Sequence, residues 1–264
     1  MRPRATFLRL LRAEWIRLWS LPWTGRVCAG VVVVQTAFTT VLAATANLGA
    51  LGYSPHEVGP NVINSAYPVG QLAMAVLGVL AVTGEYDSGA IRSTFAAAPR
   101  RTGVILARAL VLAVTAGLTG LATTLATWAA LTPSLTGAYA IDPRDPTHLR
   151  MLAAMPLYLI GIALFACAIG WVVRRTGAAL GLVLAVFLVV DTLAMMLQRI
   201  RVVQILTPFL PSASGTRLLT TDTGPMLGAR DVVVLGPWQG WGVLIAWAVA
   251  LGTAAVVLVR RRDV

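Results

Sequence analysis

Long apolar runs separated by short polar segments dominate the chain. About 20 apolar residues in a helix cross the hydrocarbon core of a bilayer. Six runs approach or exceed this length, at residues 27–48, 66–82, 105–131, 151–173, 178–197 and 238–259. We therefore predict an all-α membrane protein with six transmembrane helices that forms a single transmembrane domain over residues 1–264.

Residues 5–20 precede the first run and have the period of an amphipathic helix. Its apolar arc holds Phe7, Leu8, Leu11, Trp15, Leu18 and Trp19, and its polar arc holds Arg9, Arg12, Glu14 and Arg17. A basic helix with tryptophan on its apolar face lies in the headgroup plane. We predict an interfacial helix here, with a helix packed on a soluble partner as the alternative.

Residues 84–101, GEYDSGAIRSTFAAAPRR, form the most polar short segment between two apolar runs. Glu85 and Asp87 precede a helix-compatible stretch, where acids suit the positive end of a helix dipole. Ile91 and Phe95 are one turn apart and give that helix a small apolar face. The pattern predicts a short helix that fits a groove on a soluble partner; a solvated turn is the alternative.

Residues 198–236 form the longest connection. An apolar stretch at 202–210 is broken by the sequence PSASG and then resumes briefly. This pattern favours a pair of short re-entrant or interfacial helices, which need protein or water around their backbone.

Composition supports the membrane assignment, because 58% of residues are hydrophobic, 12% are charged and the mean hydropathy is +0.79. The net charge is +11, and the 21 basic residues are all arginine. They flank apolar runs, which favours anionic lipid headgroups of the bilayer, rather than nucleic acid, as their partner. A Walker A loop needs lysine, so ATP chemistry has to come from another polypeptide.

Most arginines flank the segments that lie on the same side as both termini, including 84–101 and the short turn at 174–177. Basic residues concentrate on the cytoplasmic side of short loops. The sequence therefore predicts a multi-pass topology with cytoplasmic termini and a cytoplasmic 84–101 loop.

Few polar groups fall within the predicted spans. Gln35 and Thr39 are one turn apart, and Asp191 is the one acid within a span. Each is assigned either to a translocation path or to hydrogen bonds between packed helices. Asp191 also permits an alternative function, that of an ion-coupled carrier.

Catalytic and metal-binding motifs are missing from the sequence. The two histidines, His56 and His148, fall in separate predicted outer loops, and no HExxH or GxSxG motif occurs. We expect that this chain is not an enzyme, with no catalytic residue, no metal site and no bound cofactor.

The 84–101 segment resembles the loop between spans 2 and 3 of ABC-2-type transporter permeases, which follows GE-x3-G-[TA]-IR-x-[TL]-x4-P-R. The stretch PFLPSASGTRLL and the tail LGPWQGWGVLIAWAVALGTAAVVLVRRRDV resemble the actinobacterial-type members. The resemblance covers essentially the whole chain.

This resemblance implies a type-V ABC exporter-like bundle in a bacterial inner membrane. In that family two permease copies, identical or not, pair, and each docks on a separate cytoplasmic ATP-binding subunit that holds ATP and Mg. The motif match carries the coupling role to Glu85, Gly89, Ile91, Arg92, Pro99 and Arg100; Phe95 is included only for its apolar face. A membrane anchor that recruits a cytoplasmic partner without transport is a further alternative.

Overall fold

The computed structural model describes residues 6–45, 52–91, 93–94, 101–197, 199–221 and 233–261. All regular elements within these ranges are helical. The numbered α-helices are α1 (Phe7–Ser20), α2 (Pro22–Thr45), α3 (Pro55–Ile63), α4 (Tyr67–Asp87), α5 (Arg101–Leu131), α6 (Pro146–Val173), α7 (Thr176–Met196), α8 (Arg201–Leu206), α9 (Pro211–Thr216) and α10 (Pro237–Arg261). Residues 91, 93 and 94 of the loop after α4 are helical as well.

Within the described residues, six helical segments are long and apolar enough to cross a membrane: α2, α3 with α4, α5, α6, α7 and α10. This confirms the six predicted spans and the all-α membrane class. Each of the six helical segments extends beyond its predicted limits at one end or both. The largest extensions are in α2, which begins at Pro22, in α4, which continues to Asp87, in α5, which begins at Arg101, and in α6, which begins at Pro146. Proline is favoured in the first turn of a helix, where its missing N–H costs nothing.

The connection at 49–65, predicted as a polar loop, contains the short helix α3. Ser54 and Glu57 form a capping box at its start, which satisfies backbone N–H groups that have no partner within the helix. Val58, Val62 and Ile63 on α3 are buried with Leu131 and Leu135 in a second, smaller apolar cluster.

Helix α6 is the centre of the bundle and packs against α4, α5 and α10. Close approach depends on glycine at two crossings. A Cβ at Gly78 would lie 2.6 Å from the Ala163 carbonyl oxygen, and one at Gly120 would lie 2.5 Å from Pro156 Cα. Small residues at such crossings let membrane helices pack backbone to backbone.

The six spans differ in how much of each is covered by the rest of the chain. Helices α5 and α6 are mostly buried, whereas the apolar windows of α2, α7 and α10 are each only 22% buried. Large apolar side chains such as Val33, Phe38 and Leu188 are therefore exposed on the peripheral helices. These faces need lipid or another apolar surface.

The segment after α7 contains the predicted pair of short helices, α8 and α9, joined by a 3₁₀ turn at Thr207–Phe209. Arg150 on α6 holds the residues that follow α9, because it donates to the carbonyl oxygens of Leu218 (2.8 Å) and Thr220 (3.1 Å). Trp247 on α10 donates its ring N–H to the Phe209 carbonyl oxygen at 2.9 Å.

The helices alternate in direction, so the bundle has two ends. The end that carries α1, here called the α1 end, also holds the C-terminal ends of α4, α6 and α10 and the N-terminal ends of α5 and α7. The opposite end, here called the α3 end, holds α3 and the connections around residues 135–145 and 199–221.

Candidate functional site

Four charged side chains from three helices form one buried network at the α1 end. Arg108 on α5 donates through Nε and Nη2 to the Glu14 carboxylate on α1, at 2.9 and 3.0 Å. Its Nη2 also donates to Oε2 of Glu85 on α4, at 2.9 Å. Arg17 on α1 pairs with Glu14 at 3.0 Å and with Glu85. The two carboxylates thus bridge the same two guanidinium groups.

Burial makes this arrangement demanding, because charges removed from water cost several kcal/mol each unless paired and hydrogen-bonded. Arg108 is 1% exposed, and its guanidinium carbon lies 5.0 Å from the centre of the Trp171 ring. Glu14 and Glu85 are 7% and 8% exposed. Two positive and two negative groups leave no net charge, so the network is stable only as a complete set.

Arg17 is the member of the network nearest to solvent. Besides its two carboxylate partners, it donates to the Ala81 carbonyl oxygen at 2.8 Å. Burial lowers the pKa of Arg17, and the neighbouring positive charge of Arg108 acts in the same direction, while Glu14 and Glu85 oppose both. Arg17 therefore holds α1 to the last turns of α4.

Glu85 also connects this network to the loop that follows α4. Thr94 Oγ1 donates to Glu85 Oε1 at 3.5 Å, and Ile91 is 3% exposed and belongs to the main apolar core. Gly89, two residues after the end of α4, has φ of +72°, a left-handed conformation that favours glycine after a helix. The loop thus begins with its first turn fixed to the bundle.

Residues 91, 93 and 94, which follow Glu85 and Asp87, are helical, so a helical stretch does come after the two acids. The acids themselves lie in the last turn of α4, at the negative end of its dipole. Carboxylates at that end are unfavourable. For Glu85, the paired arginines offset this effect.

Tyr86 and Asp87 were given no role by the sequence motif, yet both contact other helices. The Tyr86 ring packs edge-on against Trp171 of α6 at 6.1 Å between centroids, and the Arg174 guanidinium lies 5.4 Å from it. Asp87 accepts a hydrogen bond from Thr176 at the start of α7. Three consecutive residues at the C-terminal turn of α4 therefore contact α1, α5, α6 and α7.

The predicted orientation of α1 is wrong for part of the helix. Glu14 and Arg17, assigned to the polar arc, face the bundle, and Leu18 of the apolar arc is 3% exposed and packs in the core. Trp15 and Trp19 remain exposed on the other side. The helix turned this way because partners for its charges exist inside the bundle. A sequence signal was available, since Glu14, Glu85 and Arg108 all flank apolar runs on one predicted side.

The remaining loop residues predicted for coupling, Arg92, Phe95, Pro99 and Arg100, lie outside the described residues. Their roles stay predictions. Glu85, Gly89 and Ile91 are described, and of these Glu85 has the most contacts with other helices.

Gln35 and Thr39 make contacts of helix packing. Gln35 Nε2 donates to the Ala66 carbonyl oxygen at 2.8 Å and so joins α2 to the start of α4. Thr39 Oγ1 donates to the Gln35 carbonyl oxygen on its own helix at 2.7 Å. Both side chains are buried, at 1% and 0% exposure.

Asp191 lies in the half of the bundle nearer the α3 end. It follows directly after six residues of α7, Ala185–Val190, that form a π-helical segment, a distortion frequent at functional sites. Asp191 lines a cavity of about 270 Å³ together with Tyr67, Thr207, Ser212 and Thr216. Its assignment to a ligand path therefore has a cavity to support it.

The structure brings together the two histidines that the sequence placed in separate loops. Ligand-type atoms of His56, Asp145 and His148 lie within 4.8 Å of one another. Asp142 N donates to His148 Nδ1 at 2.9 Å, so Nε2 carries the ring hydrogen and donates to the His56 carbonyl oxygen at 3.1 Å. A metal ion on His148 would displace one of these hydrogen bonds. The arrangement therefore favours a structural role, in which His148 joins α3 to the start of α6.

Asp145 caps the first turn of α6 at the same place. Its carboxylate accepts from Thr147 N at 2.6 Å and His148 N at 3.3 Å. The hydrogen bond from the Thr147 backbone holds the pKa of Asp145 below its usual value.

No family model matches the sequence, and no curated protein matches it.

Proposed function

We propose that this chain is the membrane-spanning permease subunit of an ATP-driven exporter of the ABC-2 type, with its α1 end on the cytoplasmic side of a bacterial inner membrane. The observation that supports it most is the position of Glu85. This residue belongs to the loop motif and is the point where the loop joins α1 and α5 through a buried ion network.

In the proposed mechanism, ATP and Mg bind to a separate cytoplasmic subunit, and its closure pushes on the 84–101 loop. The first turn of this loop is anchored by Ile91 and by Thr94, which donates to Glu85. Displacement of the loop therefore acts on the C-terminal turn of α4. From there it passes to α1 and α5 through Glu85 and to α7 through Asp87.

The ion network suits a switch between two packed arrangements. Buried carboxylates and guanidinium groups cannot separate singly without large cost, so α1, α4 and α5 move as a unit or exchange partners together. Packed interfaces of this kind have discrete alternatives and do not deform continuously. Alternating access then follows from rigid motion of this unit, with the start of α7 that Asp87 holds, relative to α10.

A second permease copy completes the proposed exporter. The sparsely covered apolar faces of α2, α7 and α10 support this, because a partner copy and lipid would together cover them.

Substitution of Glu85 tests the coupling proposal. The chain is co-expressed with the ABC ATP-binding subunit encoded beside it, purified through one subunit and reconstituted in liposomes. Glu85→Gln removes the charge that Arg17 and Arg108 share while it keeps the shape. We expect the complex to assemble but the ATP hydrolysis that is coupled to transport to fall about tenfold or more, since charged hydrogen bonds contribute ~1.5–3 kcal/mol.

Arg12→Gln is the matched control, because Arg12 lies on the exposed side of α1. It should leave hydrolysis and assembly unchanged. Wild-type coupling in Glu85→Gln, or failure of any ABC ATP-binding subunit to co-purify with the wild-type chain, would refute the proposal.

The cavity beside Asp191 favours a second candidate function, an ion-coupled carrier. That function requires that the chain alone, without an ATP-binding subunit, accumulates a solute. An uncoupler should dissipate this accumulation, and Asp191→Asn should abolish it.

A further inference from the structure

Two threonine hydroxyls that line the cavity beside Asp191 are already engaged as donors. Thr207 Oγ1 donates to the Val203 carbonyl oxygen at 2.7 Å, and Thr216 Oγ1 donates to the Ala213 carbonyl oxygen at 3.0 Å. Both hydroxyl hydrogens are therefore used within their own helical segments. What these two side chains offer to the cavity is oxygen lone pairs.

A chain of side chains behind the cavity fixes the position of Ser212. Tyr158 donates through its hydroxyl to Gln71 Oε1 at 2.7 Å, and Gln71 Nε2 faces Ser212 Oγ at 3.5 Å. Tyr158 and Gln71 are 0% and 4% exposed. Because Gln71 Nε2 is a donor, Ser212 accepts from it, and Ser212 lines the same cavity as Asp191. The site is thus built before any ligand arrives.

Asp191 lies in a membrane-spanning helix without a positive partner. Among the ion pairs of the described residues, none includes Asp191. A carboxylate at membrane depth is costly unless a counter-charge or hydrogen-bond donors reach it. A ligand that is positive and rich in donors therefore matches what this cavity lacks.

The remaining walls set the size and shape of that ligand. Ala194, Met195 and Ala213 are apolar, and the aromatic side chain of Tyr67 also lines the cavity. An aromatic face attracts a cation placed over it. The volume of about 270 Å³ lies near the lower end of small-molecule sites, which suits one ring or a short chain attached to an ammonium group.

We propose that the cavity formed by Asp191, Tyr67, Thr207, Ser212 and Thr216 binds a small protonated organic amine. This assignment rests on the proposed export function where it names the amine as the transported substrate. Binding itself is a property of this chain and needs no ATP-binding subunit.

The test uses the purified full chain in nanodiscs and a matched pair of probes, 2-phenylethylamine and 2-phenylethanol. The two have the same carbon skeleton, but only the first carries a positive charge at pH 7. Binding is followed as the rise in thermal unfolding temperature with probe concentration, because a ligand of the folded state stabilises it by mass action. We expect 2-phenylethylamine to raise this temperature at concentrations about tenfold below those at which 2-phenylethanol acts.

Two variants and one control locate the binding. Asp191→Asn should reduce the apparent affinity for the amine about tenfold or more, since it removes the charge and keeps the shape. Thr216→Val, which removes one oxygen from the wall, should weaken it by a smaller factor and covers the case in which Asp191→Asn fails to fold. Asp142→Asn, at an exposed acid of the α3 end, should bind like wild type.

Equal stabilisation by the two probes, or an unchanged response in Asp191→Asn or in Thr216→Val, would overturn the proposal. Stabilisation by sodium ions with no response to the amine would also overturn it, in favour of a metal-ion site. If the amine does not bind although an ATP-binding subunit couples to the chain, the amine proposal is refuted and the export proposal stands. If the amine binds but no ABC ATP-binding subunit associates with the chain, the amine site is supported and the export proposal is refuted.

Discussion

Replacement of Arg108 by methionine tests whether the four charges at the α1 end act as a unit. Methionine keeps an unbranched apolar stem against Trp171, which lies 5.0 Å from the guanidinium carbon. The change removes three hydrogen bonds of 2.9 to 3.0 Å. It leaves two nearly buried carboxylates facing the single guanidinium of Arg17.

The magnitude follows from the charge that is left without a partner. Loss of one partner of a buried ion pair costs about 3–5 kcal/mol, and we expect Arg108→Met to lower the free energy of unfolding by that amount. A second substitution, Glu14→Gln, removes the surplus negative charge and leaves Arg17 paired with Glu85. The double variant should therefore be no less stable than Arg108→Met alone.

The assay is an unfolding titration of the purified chain in mixed micelles, with Arg12→Met as control. Arg12 is exposed on α1, so its replacement should change the free energy of unfolding by no more than about 0.5 kcal/mol. A loss below 1 kcal/mol in Arg108→Met, or single-variant losses that simply add in the double variant, would refute the description of the network as one unit.

Two further predictions concern the loop and the α3 end. Gly89→Ala should lower the free energy of unfolding by about 1 kcal/mol, because φ of +72° strains any residue that has a Cβ, although the space around this position is open. Gly89→Asn should lower it by less, since asparagine tolerates this conformation better. Equal losses in the two variants would contradict backbone strain as the cause. The depressed pKa of Asp145 means that its capping bond stabilises the fold above the unfolded pKa of about 3.9 and is lost as pH falls through the lower folded pKa. The stability difference between wild type and Asp145→Asn, measured by unfolding titrations from pH 6 to pH 2, should therefore shrink only below about pH 4, and a difference independent of pH would contradict the prediction.

The spans were predictable because the signal is local. Hydropathy and length alone identify the six membrane-crossing helices, and no distant contact is needed to place them. The ends were less accurate, since α4 continues through Glu85 and Asp87, which looked like the start of a polar loop. A charged residue extends a helix when its partner lies on a neighbouring helix, and the local pattern does not contain that partner.

The candidate site was predictable in part. Glu85 was singled out by the loop motif, and Asp191 by its position within an apolar run. Tyr86, Asp87 and Arg108 were not, because their contacts join helices that are distant in sequence. The pairing of His56 with His148 was missed for the same reason.

By itself the sequence determined that the chain is a helical membrane protein with six spans, an amphipathic N-terminal helix and one polar loop rich in arginine. These properties follow from solvation, because each apolar run must leave water and each backbone must satisfy its own hydrogen bonds in lipid. Only the tertiary structure decided which side of α1 is buried. It also decided that Glu14 is the partner of Arg108, from which it is separated by 94 residues in the sequence. Charge pairing depends on distances between helices, and these are fixed by packing.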